Sequence, residues 1–361
     1  MPEDHRMPDH TETLGAALVR HGIGRRDLLR FALAMTASLA LPPGIAPVMA
    51  ENLARAKRRS VIWLSIQDCT GCLEALLQSS SPTLESIIFD FISLDYQETL
   101  MAAAGSTADR MLWDAVAANK GEYLLAIDGS IPVKDGGVYA LTGGRSTVGI
   151  VEALAADAKA VLAIGTCAAY GGIPKAYPNP TGAVGVEDLI SGTPIVNIPG
   201  CPPMPDVLSG ILVYFISFGR LPALDERKRP LAYYGTTIHD RCYRRSFYDR
   251  GQFAQSFDDD GARQGWCLFE LGCKGPITHN ACASLKWGGG TSFPIESGHG
   301  CLGCAEPNFW DAGSFYTSLA GGSPTGWQNA SMAAAVGLAG GAAAALLARD
   351  KADPDPEETP P

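Results

Sequence analysis

The chain has no surplus of positive charge. Its 28 Lys and Arg are outnumbered by 38 Asp and Glu, for a formal net charge of -10 over 361 residues. Holding nucleic-acid phosphates needs clustered basic side chains, which the central region lacks, so no nucleic-acid partner is expected and a soluble or protein partner is favoured. Charge of either sign is scarce, at 18% of residues against 46% hydrophobic. That balance argues against disorder and leaves apolar material for one large or two ordinary domains. Beyond about residue 225 the chain is poor in β-branched runs and rich in Gly and Cys, which points away from a sheet there.

No cysteine is left over. The ten cysteines and one histidine fall into three groups by position: Cys69, Cys72, Cys167 and Cys201; His239, Cys242, Cys267 and Cys273; Cys282, Cys301 and Cys304. Their sizes match the ligand sets of three iron–sulfur clusters, and a chain that spends every thiol this way reads as a carrier of electrons. The rival is a disulfide framework, since an even cysteine count is common in exported proteins. Such frameworks belong mainly to small domains without a core, and Cys69-x-x-Cys72 and Cys301-x-x-Cys304 are metal-ligand spacings.

From Ser60 onward, short apolar runs alternate with helical stretches, as in parallel α/β folds. Strands are predicted at Val61 to Ile66, Ile88 to Leu94, Tyr123 to Ile127, Ala160 to Ile164 and Pro194 to Ile198. Helices are predicted over Thr147 to Ala156 and, after Cys201-Pro202-Pro203, over the stretch of Val207, Leu208, Ile211, Leu212 and Phe215, ending at Gly219. Three strands run directly into the first cysteine group: Ile66 precedes Cys69, Ile164 precedes Cys167 and Ile198 precedes Cys201. Ligand sites of open α/β sheets gather at the carboxyl ends of the strands, so four thiolates far apart in sequence could meet there. The region past residue 225 is expected to be organised around metal rather than a sheet.

The two ends differ from this middle. The first fifty residues do not read as folded structure: Gly24-Arg25-Arg26-Asp27-Leu28-Leu29-Arg30 leads into an apolar stretch from Phe31 to Leu41, then Pro42-Pro43 and Val48-Met49-Ala50. This resembles a twin-arginine export signal cut after Ala50, although Gly24 and Leu28 replace the usual hydroxyl and aromatic residues. The alternative is an amphipathic N-terminal helix. Near the other end, residues 330–348 are uncharged and long enough to cross a bilayer, but Ala and Gly contribute little transfer energy, and a membrane anchor stays an open reading. Residues 349–361 are acidic and Pro-rich and are expected to be disordered.

Over roughly residues 58 to 320 the chain resembles the small subunit of [NiFe]-hydrogenases of the exported, membrane-bound uptake type. The motifs that carry the likeness are Asp68-Cys69-Thr70-Gly71-Cys72-Leu73-Glu74, Gly165-Thr166-Cys167-Ala168-Ala169-Tyr170-Gly171-Gly172 and Asn197-Ile198-Pro199-Gly200-Cys201-Pro202-Pro203 in the first half. In the second half they are Thr237-Ile238-His239-Asp240-Arg241-Cys242, Gly265-Trp266-Cys267, Leu271-Gly272-Cys273-Lys274-Gly275-Pro276, Asn280-Ala281-Cys282 and Gly298-His299-Gly300-Cys301-Leu302-Gly303-Cys304-Ala305-Glu306. The resemblance implies a flavodoxin-like parallel-sheet domain (residues 58–220), followed by a loop-rich iron–sulfur domain (225–320). It assigns Cys69, Cys72, Cys167 and Cys201 to a proximal [4Fe–4S] cluster and His239, Cys242, Cys267 and Cys273 to a distal [4Fe–4S] cluster. Cys282, Cys301 and Cys304 fall to a medial [3Fe–4S] cluster, with Pro294 where a fourth ligand would stand.

Departures qualify the match. Oxygen-tolerant members carry two further cysteines at positions that are Gly71 and Gly172 here, so a six-cysteine cluster is not supported. Asp68 replaces a common Glu; it could compete for iron, but carboxylate is a hard ligand for such a centre and a hydrogen-bonding loop role is preferred. His299 is read as a hydrogen-bonding neighbour rather than a ligand. Trp266, Trp287 and Trp310 either keep water from the clusters or simply pack.

The implied function is electron relay in a hydrogenase (EC 1.12 class), from a large subunit that carries the NiFe centre to a cytochrome b or similar membrane acceptor. The chain itself lacks the paired CxxC motifs that hold that centre. The implied assembly is a heterodimer or dimer of heterodimers on the periplasmic side of the cytoplasmic membrane. A rival is the cluster-bearing subunit of NADH:quinone oxidoreductase, which resembles the first domain but has one cluster, leaving the seven later ligands unused.

Overall fold

The computed structural model describes residues 13–319 apart from 21 and 314; residues 330–348 and 349–361, read above as anchor and tail, lie outside this range. Five strands form one sheet: β1 (Arg59–Ser65), β2 (Ile92–Tyr96), β3 (Leu124–Asp128), β4 (Ala160–Ile164) and β5 (Ile195–Ile198). Their spatial order is β2-β1-β3-β4-β5 with every pair parallel, the doubly wound flavodoxin-like order. β3, β4 and β5 are buried along their whole length, which is why they read as continuous apolar runs rather than alternating ones.

The two sheet faces separate residue by residue, as the strand period of two requires. Val61, Trp63, Leu124, Ala126, Leu162, Val196 and Ile198 face one core; Ile62, Leu64, Leu125, Ile127, Val161, Ala163 and Ile195 face the other. The second core is closed by helices Gly105–Ala118, through Leu112 and Val116, and Thr147–Asp157, through Ile150, Val151 and Leu154. The first is closed by helix Pro205–Phe218, whose Gly219 ends it in the left-handed conformation that glycine adopts without penalty.

One strand was displaced. Where Ile88 to Leu94 is predicted, Ile87–Phe91 forms a π-helical turn and the strand starts at Ile92. The Arg58 guanidinium donates to the Ile88 carbonyl and the Ile92 carbonyl at 2.9 Å each, satisfying backbone acceptors on both sides of the change.

The N-terminal segment departs further from expectation. Residues read above as unfolded form α1 (Leu14–Arg20), α2 (Arg25–Ser38) and α3 (Ala46–Arg55). Leu14, Ala32, Met49 and Leu53 are at most 1% exposed and join the first core. Periodicity explains this: the buried positions of α2, Leu28, Ala32, Met35 and Thr36, recur at helical intervals.

Beyond residue 225 the expected loop-rich body is present. Its elements are single turns, among them His239–Arg241, Phe269–Leu271, Gly275–Ile277 and Cys282–Leu285. A small core of Ile238, Ala254, Leu268, Phe293 and Ile295 packs directly against Cys242, Cys273, Cys282 and Cys301.

Candidate cluster-binding site

All ten cysteines are free thiols, which removes the disulfide framework. The first set sits where parallel strands end. β4 runs straight into helix Gly165–Tyr170, which carries Cys167, and β5 ends three residues before Cys201. After β1 the chain crosses the loop after β3, with Gln67 and Ser130 exchanging backbone hydrogen bonds at 3.2 Å, and then presents Cys69. Helix Gly71–Leu77 (α4) starts between Cys69 and Cys72.

These thiols gather at one place. Burial pushes the Cys72 thiol up, and Asp128, Cys167, Cys69 and Cys201 each add to the rise. Cys167 is pushed up to about 11 and Cys201 to about 12, burial again leading. Backbone closes around the sulfurs: a Cβ on Gly165 would run into the Cys72 sulfur, and one on Gly172 would meet the Cys167 sulfur and lie 2.8 Å from its Cα. A cysteine at position 172 has no room here. Cys69 and Cys201 form the exposed rim of the group.

Asp68 serves its loop. Its Oδ2 accepts the Thr70 N–H at 2.6 Å, which holds the turn that delivers Cys69.

The second set lines one small cavity. His239, Cys242, Cys267 and Cys273 share it with Arg244, Leu268, Phe269, Gly275, Pro276 and Ile295. The His239 ring packs edge-on against Tyr248 at 4.5 Å. Burial and then Arg245 lower its pKa, with Asp240 and Asp249 opposing, so the imidazole is neutral at pH 7 and has a lone pair to give. Cys267 is pushed up to about 11, chiefly by burial.

The third set lies between the other two. Cys282, pushed up to about 12, and Cys301 both feel Cys304, after burial. At one end the Cys304 thiolate raises the pKa of Cys201 in the first set. At the other end the Cys301 N–H donates to the Cys273 sulfur of the second set at 3.3 Å. Thr166 fastens the first joint: its hydroxyl donates to the Cys304 carbonyl at 2.5 Å and accepts the Gly200 N–H at 2.9 Å. Pro294 is exposed and its carbonyl accepts the His299 N–H at 2.9 Å. His299 itself pairs Nδ1 with the Gly300 carbonyl at 2.8 Å and stacks on Phe257.

Of the three tryptophans, Trp287 acts on a thiol, stabilising the Cys282 thiolate. Trp266 is packed against Gly261, and Trp310 against Phe309 and Phe315.

Two residues with no assigned role stand out. Asp128, at the end of β3, is wholly buried and neither carboxylate oxygen has a hydrogen-bond partner. Its pKa is pushed up to about 7, burial leading and the nearby Asp68 and Glu98 charges adding. Glu306, two residues past Cys304, is 2% exposed and receives Arg229, Arg227 and the His279 backbone N–H. The signal for Asp128 was a charge ending an apolar strand run; for Glu306 it was Asp225-x-Arg227-x-Arg229 in a chain otherwise sparing of charge.

Among the described residues, no group of three His, Cys, Asp or Glu side chains converges on a single metal ion. Iron–sulfur clusters fit the donors better. Soft thiolates are their ligands, the thiols are gathered without disulfides, glycine backbone leaves space against their sulfurs, and the Gly275 and Cys301 N–H groups donate to Cys273 at 3.4 and 3.3 Å.

Residues 234–317 match the C-terminal family of the "NiFe/NiFeSe hydrogenase small subunit", and residues 69–215 match "NADH ubiquinone oxidoreductase, 20 Kd subunit". The Hydrogenase-1 small chain of Escherichia coli K12 is 46% identical over 311 residues, 86% of this chain and 84% of that one. The uptake hydrogenase small subunit of Azotobacter vinelandii is 43% identical over 337 residues, 93% and 94% of the two chains. Among solved structures, the H2-activated [NiFeSe]-hydrogenase of Dm. baculatum superposes with a TM-score of 0.69 at 36% identity, covering 73% of this chain and all of that one. The actinobacterial-type NiFe-hydrogenase of Ralstonia eutropha H16 gives 0.67 at 25% identity, over 84% and 93%. With identity of this extent across both halves, and thiols gathered where a parallel sheet ends, the chain belongs to the small subunits of NiFe hydrogenases, an oxidoreductase component of that enzyme.

Proposed function

We propose that this small subunit is a three-cluster electron wire. Cys69, Cys72, Cys167 and Cys201 hold a proximal [4Fe–4S] cluster; Cys282, Cys301 and Cys304 a medial [3Fe–4S] cluster; His239, Cys242, Cys267 and Cys273 a distal [4Fe–4S] cluster. When bound, these clusters supply one-electron carriers at potentials that ligand type, hydrogen bonding and exposure adjust. The observation that carries the reading is the order of the sets in space: Cys201 beside Cys304, then Cys301 beside Cys273.

The chain's own residues set the conditions. Apolar neighbours such as Leu268, Phe269 and Ile295 keep water from the second set. A neutral His239 ligand leaves its cluster less negative than a fourth thiolate would, which raises the potential at the exit end.

In this reading a large subunit splits H2 at its NiFe site and delivers electrons to the first set, in a heterodimer or dimer of heterodimers. A cytochrome b or similar membrane acceptor takes them from the second set. The Arg25-Arg26 segment directs twin-arginine export to the periplasmic side of the cytoplasmic membrane. No helix among the described residues is long and apolar enough to cross a membrane.

Iron and acid-labile sulfide analysis with EPR tests the proposal. About eleven iron atoms per chain and a nearly isotropic [3Fe–4S] signal on oxidation are expected. Iron near four per chain, the content of a single-cluster protein, overturns it.

A further inference from the structure

Lys274 stands between the second and third thiol sets and belongs to neither as a ligand. It follows Cys273 in the chain, its N–H donates to the Cys301 carbonyl at 2.7 Å, and the Cys301 N–H donates back to the Cys273 sulfur at 3.3 Å. The residue is 7% exposed. Its carbonyl accepts the Thr278 hydroxyl at 2.6 Å, and a Cβ on Gly303 would lie 3.4 Å from its own Cβ. Main chain and side-chain base are therefore held against the joint between the two sets. The ammonium is held as well, since Nζ donates to the Thr317 carbonyl.

Among the described residues, no carboxylate pairs with this ammonium. The cations at the other joint differ: beside Cys304, Arg227 and Arg229 pair with Glu306 and Asp225. A charge taken out of water is costly unless an opposite charge compensates it. Burial lowers the Lys274 pKa, and the groups that oppose burial are the Cys273 and Cys301 thiolates. Arg244 repeats the pattern at the second set. It is 6% exposed and lines the cavity of His239, Cys242, Cys267 and Cys273. It donates to neutral oxygens, the Tyr243 hydroxyl at 2.7 Å and the Trp266 carbonyl at 2.8 Å. Two buried cations without carboxylates call for negative charge among the thiols they face, and Lys274 faces two sets at once.

We propose that Lys274 is a fixed counter-charge shared by the medial and distal clusters, placed to raise the reduction potentials of both. The inference rests on the three-cluster reading. Each electron added to a thiolate-held cluster makes it more negative, and a neighbouring cation stabilises the reduced form; net charge and hydrogen bonding are what adjust such potentials. Because the charge is shared, it lifts the pair relative to the first set and leaves the step between its two members nearly unchanged. Electrons are drawn from the first set toward the joint without being trapped on one side of it.

EPR-monitored redox titration of the cluster-loaded full chain tests this, with iron measured on each sample. Lys274→Gln removes the charge and keeps a donor for the Thr317 carbonyl; Lys274→Met removes both. In each, the medial and distal clusters become harder to reduce by about tenfold in the one-electron equilibrium, ~59 mV. Iron stays near about eleven atoms per chain and the proximal potential does not move. Lys274→Arg keeps the charge and holds both potentials near those of the parent chain. Unchanged medial and distal potentials in the Gln and Met variants overturn the proposal. So does a shift confined to one of the two clusters, an equal shift of the proximal cluster, or an Arg variant that behaves like Gln. If the Lys274 variants load no iron, Thr317→Glu decides. Thr317 is exposed, and the change leaves its carbonyl in place while bringing a carboxylate toward the ammonium, so both potentials fall; potentials that stay put overturn the proposal. A parent chain with about four iron atoms and no [3Fe–4S] signal removes the three-cluster reading and the proposal with it. A fully loaded parent whose variants show no shift removes the proposal alone.

Discussion

Glu306 and Arg229 meet at 3.1 Å with exposures of only 2% and 5%, in an otherwise sparsely charged chain. The pair ties the loop that follows Cys304 to the loop that follows the sheet domain. Asp225 completes it, accepting from Arg229 Nε at 2.7 Å. Removing one partner of such a pair strands a charge in a medium that solvates it poorly.

Glu306→Ala is therefore expected to lower stability by about 3 to 5 kcal/mol, and to loosen the third thiol set first. Chemical denaturation of the purified protein reads the loss, and an unchanged midpoint would show that Glu306 carries no structural weight.

Gly172 is a second point where one atom matters. Its φ of 54° is already in the left-handed region, and an added Cβ overlaps Cys167. Gly172→Ala should displace Cys167 and empty the first set, taking iron from about eleven to about seven atoms per chain. Full iron content in the variant would count against the assignment of Cys167.

On the proposed three-cluster reading, His239 sets the character of the second set. His239→Cys retains a ligand but adds negative charge, so iron content should hold while the potential of that cluster falls. A redox titration followed by EPR measures the shift; no shift would mean that His239 is not bound to iron.

Asp128 gives a pH signature. Its pKa of about 7 in the folded chain stands above the unfolded value near 3.9, so the folded state holds the proton more tightly. Its contribution to stability is complete below about pH 4 and is lost as pH rises through about 7, on the order of a few kcal/mol. Asp128→Asn should flatten the stability profile across that window and raise stability at pH 8. An identical profile in the variant would indicate that the carboxylate is solvated.

Much of the site was legible before any fold was known, because ligand chemistry is local. Cys69-x-x-Cys72, His239-x-x-Cys242 and Cys301-x-x-Cys304 announce themselves by residue type and spacing, and the strands leading to Cys69, Cys167 and Cys201 by their apolar runs. The helices of the N-terminal segment were not legible for a related reason. Its Arg pair, apolar run and small-residue end suggest a segment without a fold of its own, yet helical periodicity also supplies Ala32, Met49 and Leu53 to a core that only the packed domain presents.

The amino-acid sequence by itself determined the donor inventory and the alternation of strand and helix, since both follow from side-chain chemistry and periodicity within a few residues. Tertiary structure alone decided that the last set in the chain lies between the first two. The Cys201–Cys304 and Cys301–Cys273 contacts join loops from opposite parts of the chain. Their adjacency depends on how sheet, helices and loops stack, and no local pattern encodes that. The same packing placed Asp128 near Cys72 and laid the N-terminal helices α2 and α3 on helix Pro205–Phe218, where burial rather than spacing decides what each residue can do.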